Sequence, residues 1–217
     1  MIEGISKVAV LGTGVMGAQI AAHLTNVKIP VYSFDINQEV SEKGIESSRK
    51  LKPSPFYNPK TADLITCYNY NDHLDKLLEC DWIIEVISER LDWKQELYRK
   101  IAPYVNSKAV VTSNTSGLAL SDLTNGMDES FRDRFFITHF FNPPRYMKLV
   151  EIVCLDETNK DYVTFIDKFL QEVLGKGVVH AKDTPNFIAN RIGVYGMMVT
   201  LDEAYKRKLS IEDIDAL

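Results

Sequence analysis

Three glycines, one aspartate and a histidine–glutamate pair are the residues of this chain best placed to do chemistry. Gly12, Gly14 and Gly17 stand in "GTGVMG", a GxGxxG pattern between a strand-like run, "KVAVLG", and a helix-like one, "VMGAQIAAHLTN". In that setting the glycines permit a tight turn and leave the backbone bare enough for a pyrophosphate to approach the helix N-terminus. The next strand-like run, "PVYSFD", ends on Asp35, 18 residues beyond Gly17, close to the separation expected of an acid that binds a ribose. A carboxylate there accepts from a free 2′-hydroxyl and repels a 2′-phosphate. Ile36, Asn37 and Gln38 follow it without an arginine, so the pattern favours NAD over NADP. A glycine-rich turn that binds nothing is the competing reading, and strand, glycines, helix and acid in register weigh against it.

The second set lies at 137–153, "ITHFFNPPRYMKLVEIV". His139 ends one apolar run and Glu151 sits inside the next, across a stiff turn at Pro143 and Pro144. A glutamate on a neighbouring strand can hydrogen-bond the imidazole, fix its tautomer and strengthen it as a general base near neutral pH. The proline turn would hold that geometry with little conformational freedom to lose. Glu151, between apolar neighbours, calls for a partner. The competing reading is a histidine tied to a backbone carbonyl, and spacing alone leaves the two level.

Two more stretches end strands in polar groups. They are "WIIEVISERLDWK", with Glu85, Glu89 and Lys94, and "VVTSNTSG", with Ser113, Asn114, Thr115 and Ser116. Taken alone, Ser116 reads better as a helix or turn cap, and Glu89 and Lys94 as a solvated helix face. His23, His73 and His180 join no metal-ligand cluster, and no metal is expected. HExxH, GxSxG and GxxxxGK[ST] stretches do not occur, which sets aside zinc-protease, α/β-hydrolase and nucleotide-hydrolase chemistry.

Holding such groups takes strands that alternate with helices. Strands are expected at 7–12, 30–35, near "LITCYN", at 82–87 and at 109–114; "NQEVSEKGIESSRKL" and "LDWKQELYRKIAPYV" read as helices. Pro53 and Pro55 predict a loop through about residue 60. This alternation predicts an α/β fold, a Rossmann-like doubly wound, mainly parallel sheet covered on both faces. From 186 to 208 the pattern becomes one long helix, followed by "SIEDIDAL", where Ser210 reads as a cap with Asp213 three residues on. A helix that starts there with nowhere to continue points to a truncated polypeptide. Residues 1–185 form the expected dinucleotide-binding domain, and 186–217 a helical linker into a further helical unit.

Composition bounds the rest. A chain of 217 residues with 45% hydrophobic content can bury a core. A net charge of −5 and a pI near 5.4 argue against nucleic acid as a partner, since a phosphate-binding face needs clustered Lys and Arg. Cys67, Cys80 and Cys154 have no CxxC spacing and read as thiols in a reducing compartment. Glu3 heads the first apolar run, which stops at a glycine turn, so that run is a strand and not a signal peptide. No apolar stretch approaches the roughly 20 residues needed to span a bilayer. The expectation is a cytoplasmic protein with no membrane association.

Five segments in register carry a resemblance. "VAVLGTGVMGAQIA", "DWIIEVISERLDWK", "SNTSGL", "HFFNPPRYMKLVEIV" and "KDTPNFIANRI" resemble the L-3-hydroxyacyl-CoA dehydrogenases, in order, from about residue 6 to the end of the chain. The resemblance implies NAD-dependent oxidation of L-3-hydroxyacyl-CoA to 3-ketoacyl-CoA in fatty-acid β-oxidation. It implies His139 as base, Glu151 as its orienting partner, and Ser116 and Asn190 as hydrogen-bonding groups for the acyl-CoA substrate. For NAD it implies Gly12, Gly14, Gly17 and Asp35, with Glu89, Lys94 and Asn114 around the ribose and nicotinamide. It also implies an all-helical second domain beyond this chain and a homodimer of the full-length parent. Asn186 stands where many relatives carry Gly, and Gly117 where they carry Ser. "DTPNFIANRIG" resembles a bacterial branch fused to an enoyl-CoA hydratase-like domain. The rival from another class is a non-catalytic dinucleotide-binding module, structural or redox-sensing, which would need the glycine turn and Asp35 but no His–Glu pair.

Overall fold

The computed structural model describes residues 4–216; Glu3, singled out above, and the last residue of the 186–217 segment lie outside the described residues. Eight strands form one sheet in the order β3-β2-β1-β4-β5-β6-β7-β8. They are β1 (Val8–Leu11), β2 (Val31–Asp35), β3 (Ile65–Asn69), β4 (Trp82–Glu85), β5 (Val110–Ser113), β6 (Phe135–Phe140), β7 (Leu149–Val153) and β8 (Gly177–Ala181). Every pair is parallel except β6 and β7. β1, β4 and β5 are buried along their whole length, as short continuous apolar runs become when helices cover both faces of a sheet. Chain order reverses on either side of β1, and a crevice opens there at the carboxyl edge of the strands.

The helices are α1 (Val15–Asn26), α2 (Gln38–Arg49), α3 (Leu91–Ile101), α4 (Leu120–Leu123), α5 (Glu129–Arg132), α6 (Lys160–Glu172), α7 (Ala189–Arg207) and α8 (Ile211–Ala216). Asn37, just past Asp35, caps α2 by accepting from the Val40 N–H at 2.8 Å. On α3, Lys94, Leu97, Tyr98 and Ile101 make the buried stripe. Ser210 and Asp213 cap α8 reciprocally, as their spacing predicts. α7 starts at Ala189, three residues later than the sequence pattern suggests. Asn186 (φ 64°) and Phe187 (φ 47°) are left-handed and cannot belong to a right-handed helix. Its apolar residues, among them Ile192, Tyr195, Met197 and Met198, are exposed.

The turn between β6 and β7 is held from two sides. Lys176 donates to the Pro144 carbonyl and to that of Met147 at 3.0 Å, and Arg145 donates to the Ser54 and Phe56 carbonyls at 2.6 and 3.0 Å. Arg145 also lies over the Tyr57 ring, so it clamps the proline loop to the turn.

Beside them His23 is buried on α1, and neither ring nitrogen has a hydrogen-bond partner among the described residues. Burial pushes its pKa down to about 3, helped by the Lys176 and Arg145 charges. The folded state therefore refuses a proton that the unfolded chain accepts below 6.5, and stability falls as pH drops from 6.5 toward 3. The loss approaches about 1.4 kcal/mol per pH unit. Carboxylates held low, such as Glu79 and Glu89, weaken chiefly below their ordinary 4.5, so the effect of His23 is read at pH 4.5–6.5. Denaturant midpoints for the protein and for His23→Leu should diverge across that window, the variant being the flatter; parallel curves would refute the assignment.

Candidate active site

The glycine turn is built by close approaches. Gly12 has φ +103°, and a Cβ there would stand 2.8 Å from the Val86 carbonyl oxygen. At Gly17 a Cβ would stand 1.9 Å from the Gly12 oxygen, so α1 can begin here only with glycine at both positions. Gly14 differs: nothing lies within 4 Å of where its Cβ would be, which leaves the helix N-terminus approachable. Asp35, at the end of β2, accepts from the Thr13 N–H (2.7 Å) and hydroxyl (2.6 Å) through Oδ2, and from the Ile36 N–H through Oδ1 (2.8 Å). Gly12, Gly14, Asp35, Ile36, Tyr70 and Trp93 help to line a cavity of about 930 Å³. Gly17, Glu89, Lys94 and Asn114 do not line it; Gly17 sits inside the turn, and the others lie along β4, β5 and the chain that follows them.

Beneath that edge is a buried ionic cluster centred on Glu85. Its Oε1 accepts from Lys94 Nζ at 2.6 Å and the Ile87 N–H at 2.7 Å; its Oε2 accepts from the Tyr98 and Ser113 hydroxyls at 2.5 and 2.6 Å. Lys94 is 1% exposed and also reaches the Ile87 carbonyl (3.2 Å) and Glu89 Oε2 (3.5 Å). The solvated-face reading of Lys94 therefore fails: its stem belongs to the buried stripe of α3, and its ammonium ends among carboxylates. Glu89 is half-exposed. Its Oε1 accepts from the Thr115 hydroxyl (2.5 Å) and the Ser116 and Gly117 N–H groups (2.7 and 3.2 Å), which holds the loop after β5. Burial pushes the Glu89 carboxyl up, but those donors and the Lys94 charge outweigh it and hold its pKa below the ordinary value. Ser116 is thus no cap; Thr115 accepts from the Leu118 N–H instead.

His139 and Glu151 face each other in register across the antiparallel β6–β7 pair. Nδ1 lies 2.8 Å from Glu151 Oε2, both residues buried, with the Phe141 and Phe187 rings against the imidazole. The other carboxylate oxygen, Oε1, accepts from the Ile188 and Ala189 N–H groups at 3.0 and 2.8 Å. One carboxylate thus orients the imidazole and anchors the start of α7. With Nδ1 turned to Glu151, Nε2 of His139 is the ring nitrogen without a partner among the described residues. Asn190, on the first turn of α7, donates to the Ser116 carbonyl at 3.2 Å, which draws these two candidates together. Asn114 accepts from the Phe140 N–H at 2.8 Å, and its amide NH2 has no partner among the described residues.

Residues 7–184 match the family described as 3-hydroxyacyl-CoA dehydrogenase, NAD binding domain. The chain belongs to the 3-hydroxyacyl-CoA dehydrogenase family. It is 42% identical to a probable 3-hydroxyacyl-CoA dehydrogenase of Bacillus subtilis, over all of this chain and 30% of that protein. With a Deinococcus radiodurans protein of the same description it shares 41% identity, over 98% of this chain and 64% of the other. It therefore spans less than two thirds of the length of either relative. Among solved structures, (S)-3-hydroxybutyryl-CoA dehydrogenase from Ralstonia eutropha superimposes with a TM-score of 0.84 at 27% identity, over 96% of this chain and 75% of that one.

The 3-hydroxyacyl-CoA dehydrogenase match makes NAD the cofactor of this domain, and the open Gly14 turn with Asp35 beside the cavity fits it. Sequence reasoning placed Glu85 and Ser113 at strand ends but gave neither a role; it missed Tyr98 altogether. The available signal was the 94–97–98–101 spacing, which puts Lys94 and Tyr98 on the face of α3 that must be buried. Among the described residues no group of three or more His, Cys, Asp or Glu could hold a metal, and no helix is long and apolar enough to cross a membrane.

Proposed function

We propose that this chain carries the NAD site and the base of an enzyme that oxidises L-3-hydroxyacyl-CoA to 3-ketoacyl-CoA in fatty-acid β-oxidation. The observation that carries this reading is the buried His139–Glu151 pair at the carboxyl edge of the sheet, which a module that only binds a dinucleotide would not need. Gly12, Gly14 and Gly17 hold the pyrophosphate and Asp35 the adenosine ribose. Glu89 and Asn114 attend the other ribose and the nicotinamide, with Lys94 acting from below by holding Glu89. Bound NAD supplies the acceptor for the hydride that leaves C3. His139 Nε2 takes the proton from the 3-hydroxyl, and Glu151 steadies the resulting imidazolium. Ser116 and Asn190 orient the oxygen as it becomes a carbonyl.

The reading extends to the whole protein. Residues 1–185 act as the NAD-binding domain, and 186–217 open a helical unit whose apolar side chains on α7 seek cover. An acyl-CoA partner, a homodimeric parent and a cytoplasmic location go with it; the free thiols of Cys67, Cys80 and Cys154 suit a reducing compartment.

Fluorescence titration of the protein should show clear preference for NADH over NADPH, and Asp35→Ala should erode it. The full-length protein should oxidise NADH when acetoacetyl-CoA is added. Equal affinity for the two cofactors would sink the assignment of Asp35. Tight NADH binding without acyl-CoA turnover would favour the non-catalytic reading instead.

A further inference from the structure

Two stretches of chain meet beside the dyad, outside the sheet. Residues 115–121 follow β5 and carry Ser116; residues 183–190 run from just past β8 into α7 and end on Asn190. Among the described residues they share no backbone–backbone hydrogen bond, so side chains make the polar ties between them. At one end Asn190 donates to the Ser116 carbonyl at 3.2 Å. At the other, Asp183 takes three donors: the Leu120 N–H through Oδ1 at 2.7 Å, and the Ser121 N–H and hydroxyl through Oδ2, each at 3.1 Å. Those two N–H groups open α4, whose own cap position, Ala119, has no side chain that could accept from them. Between the two ties the segment serves the dyad. The Phe187 ring lies against His139, and the Ile188 and Ala189 N–H groups meet Glu151.

We propose that Asp183 is a positioning residue of the dehydrogenase site, tying the loop that bears Ser116 to the segment that bears Asn190 so that both groups face one substrate oxygen. This rests on the dehydrogenase reading above and adds to it a residue that touches neither substrate nor cofactor. With three donors against the single one at Asn190, Asp183 carries the stronger tie. Nothing else in the fold does its work. Ser116 stands three residues beyond the end of β5, where the register of the sheet no longer places it. Asn190 stands on a helix with only Ala204 buried along its length, so packing does not place it either. Groups that orient a reacting oxygen act through their position, and a displacement of about 1 Å can cost on the order of a hundredfold in rate.

Two variants separate the tie from the cap. Asp183→Ala removes both; Ala119→Asp, added to it, caps α4 from its own chain and leaves the tie broken. Leu120 and Leu123, fully buried, keep α4 on the core in either variant. In the full-length protein, kcat for acetoacetyl-CoA should fall about ten- to a hundredfold in Asp183→Ala, with KM and NADH affinity changing far less. The melting temperature should fall by about 2–4 °C, the effect of one lost cap in a domain of this size. In the double variant the melting temperature should recover while kcat stays low. Hydrogen exchange reads the tie without turnover. The Leu123 and Thr124 N–H groups, bonded within α4, should regain protection in the double variant, whereas the Arg191 and Ile192 N–H groups at the start of α7 should go on exchanging fast. An unchanged kcat in Asp183→Ala, or a kcat that returns with the melting temperature, overturns the proposal and leaves Asp183 a cap. Absence of turnover in the unaltered protein overturns the dehydrogenase reading and the role with it. The exchange comparison still decides the tie, and Arg191 and Ile192 as protected in the double variant as in the unaltered protein would overturn that too.

Discussion

Glu151→Gln should abolish turnover about as completely as His139→Gln, although it removes only a charge from a residue that never touches the substrate. The reason lies in the second oxygen of the carboxylate. Two backbone N–H groups, from Ile188 and Ala189, point at Oε1. A glutamine amide in this place must put its oxygen there, because an NH2 would meet two donors head-on. Its NH2 then faces Nδ1 of His139, where Oε2 now lies at 2.8 Å. An imidazole can meet that NH2 only with a lone pair on Nδ1, so its proton moves to Nε2. The nitrogen that should take the substrate proton is already protonated. The same tautomer error in a serine protease triad is worth roughly four orders of magnitude in kcat. A loss of at least about 10³-fold is expected here, with no further loss in the double variant, since the two residues act as one unit. NADH affinity should hold far better than turnover in both single variants, because the glycine turn and the contacts of Asp35 are untouched. Steady-state kinetics of the full-length protein with acetoacetyl-CoA decide the matter. If Glu151→Gln kept a tenth of the rate, the amide would have to lie the other way round, and the start of α7 would not be what orients it.

The legible parts of this site are those whose demands fall within a few residues. The glycine turn needs φ +103° at Gly12 and no side chain at Gly17, so its requirements appear as letters in one hexapeptide. Asp35 closes the next strand, where hydrophobic periodicity ends. The dyad was only half legible. Twelve residues separate His139 and Glu151, and the register that sets them opposite depends on where β6 and β7 pair, which the turn's sequence does not state. Lys94 was misread in isolation because a lysine on a helix is usually solvated. Its place in the 94–97–98–101 stripe was the contrary signal, and Glu85 at the end of β4 was the reason. Asp183 and Leu120 lie 63 residues apart, and no local pattern joins them. The start of α7 escaped for a different reason. Asn186 and Phe187 take left-handed conformations that their sequence does not call for, held by the Phe187 ring against His139 and by the grip of Glu151 on the next two N–H groups.

Lys94→Met should be among the most destabilising single changes available in this domain, and adding Glu85→Gln should restore most of the loss. In the folded protein the ammonium is 2.6 Å from a carboxylate with no exposed surface. Methionine fills the space of the stem but takes the counter-charge from the buried Glu85, which is left with three neutral donors, the Ile87 N–H and the Tyr98 and Ser113 hydroxyls. Removing one partner of a buried pair costs about 3–5 kcal/mol, because the remaining charge has lost its compensation. Against a total stability of about 5–15 kcal/mol, that is a large share. Glu85→Gln alone should cost less: Lys94 keeps the Ile87 carbonyl and can lean toward Glu89, 3.5 Å away and partly solvated. With both changed, no charge is stranded, and an amide can still accept from Tyr98 or Ser113. The expected order of urea midpoints is therefore unaltered protein, double variant, Glu85→Gln, Lys94→Met, with a common slope if unfolding stays two-state. A Lys94→Met midpoint close to that of the unaltered protein would mean that Glu85 is well enough served by its hydroxyl and N–H donors. Lys94 would then matter through Glu89 and the Ser116 loop rather than through stability.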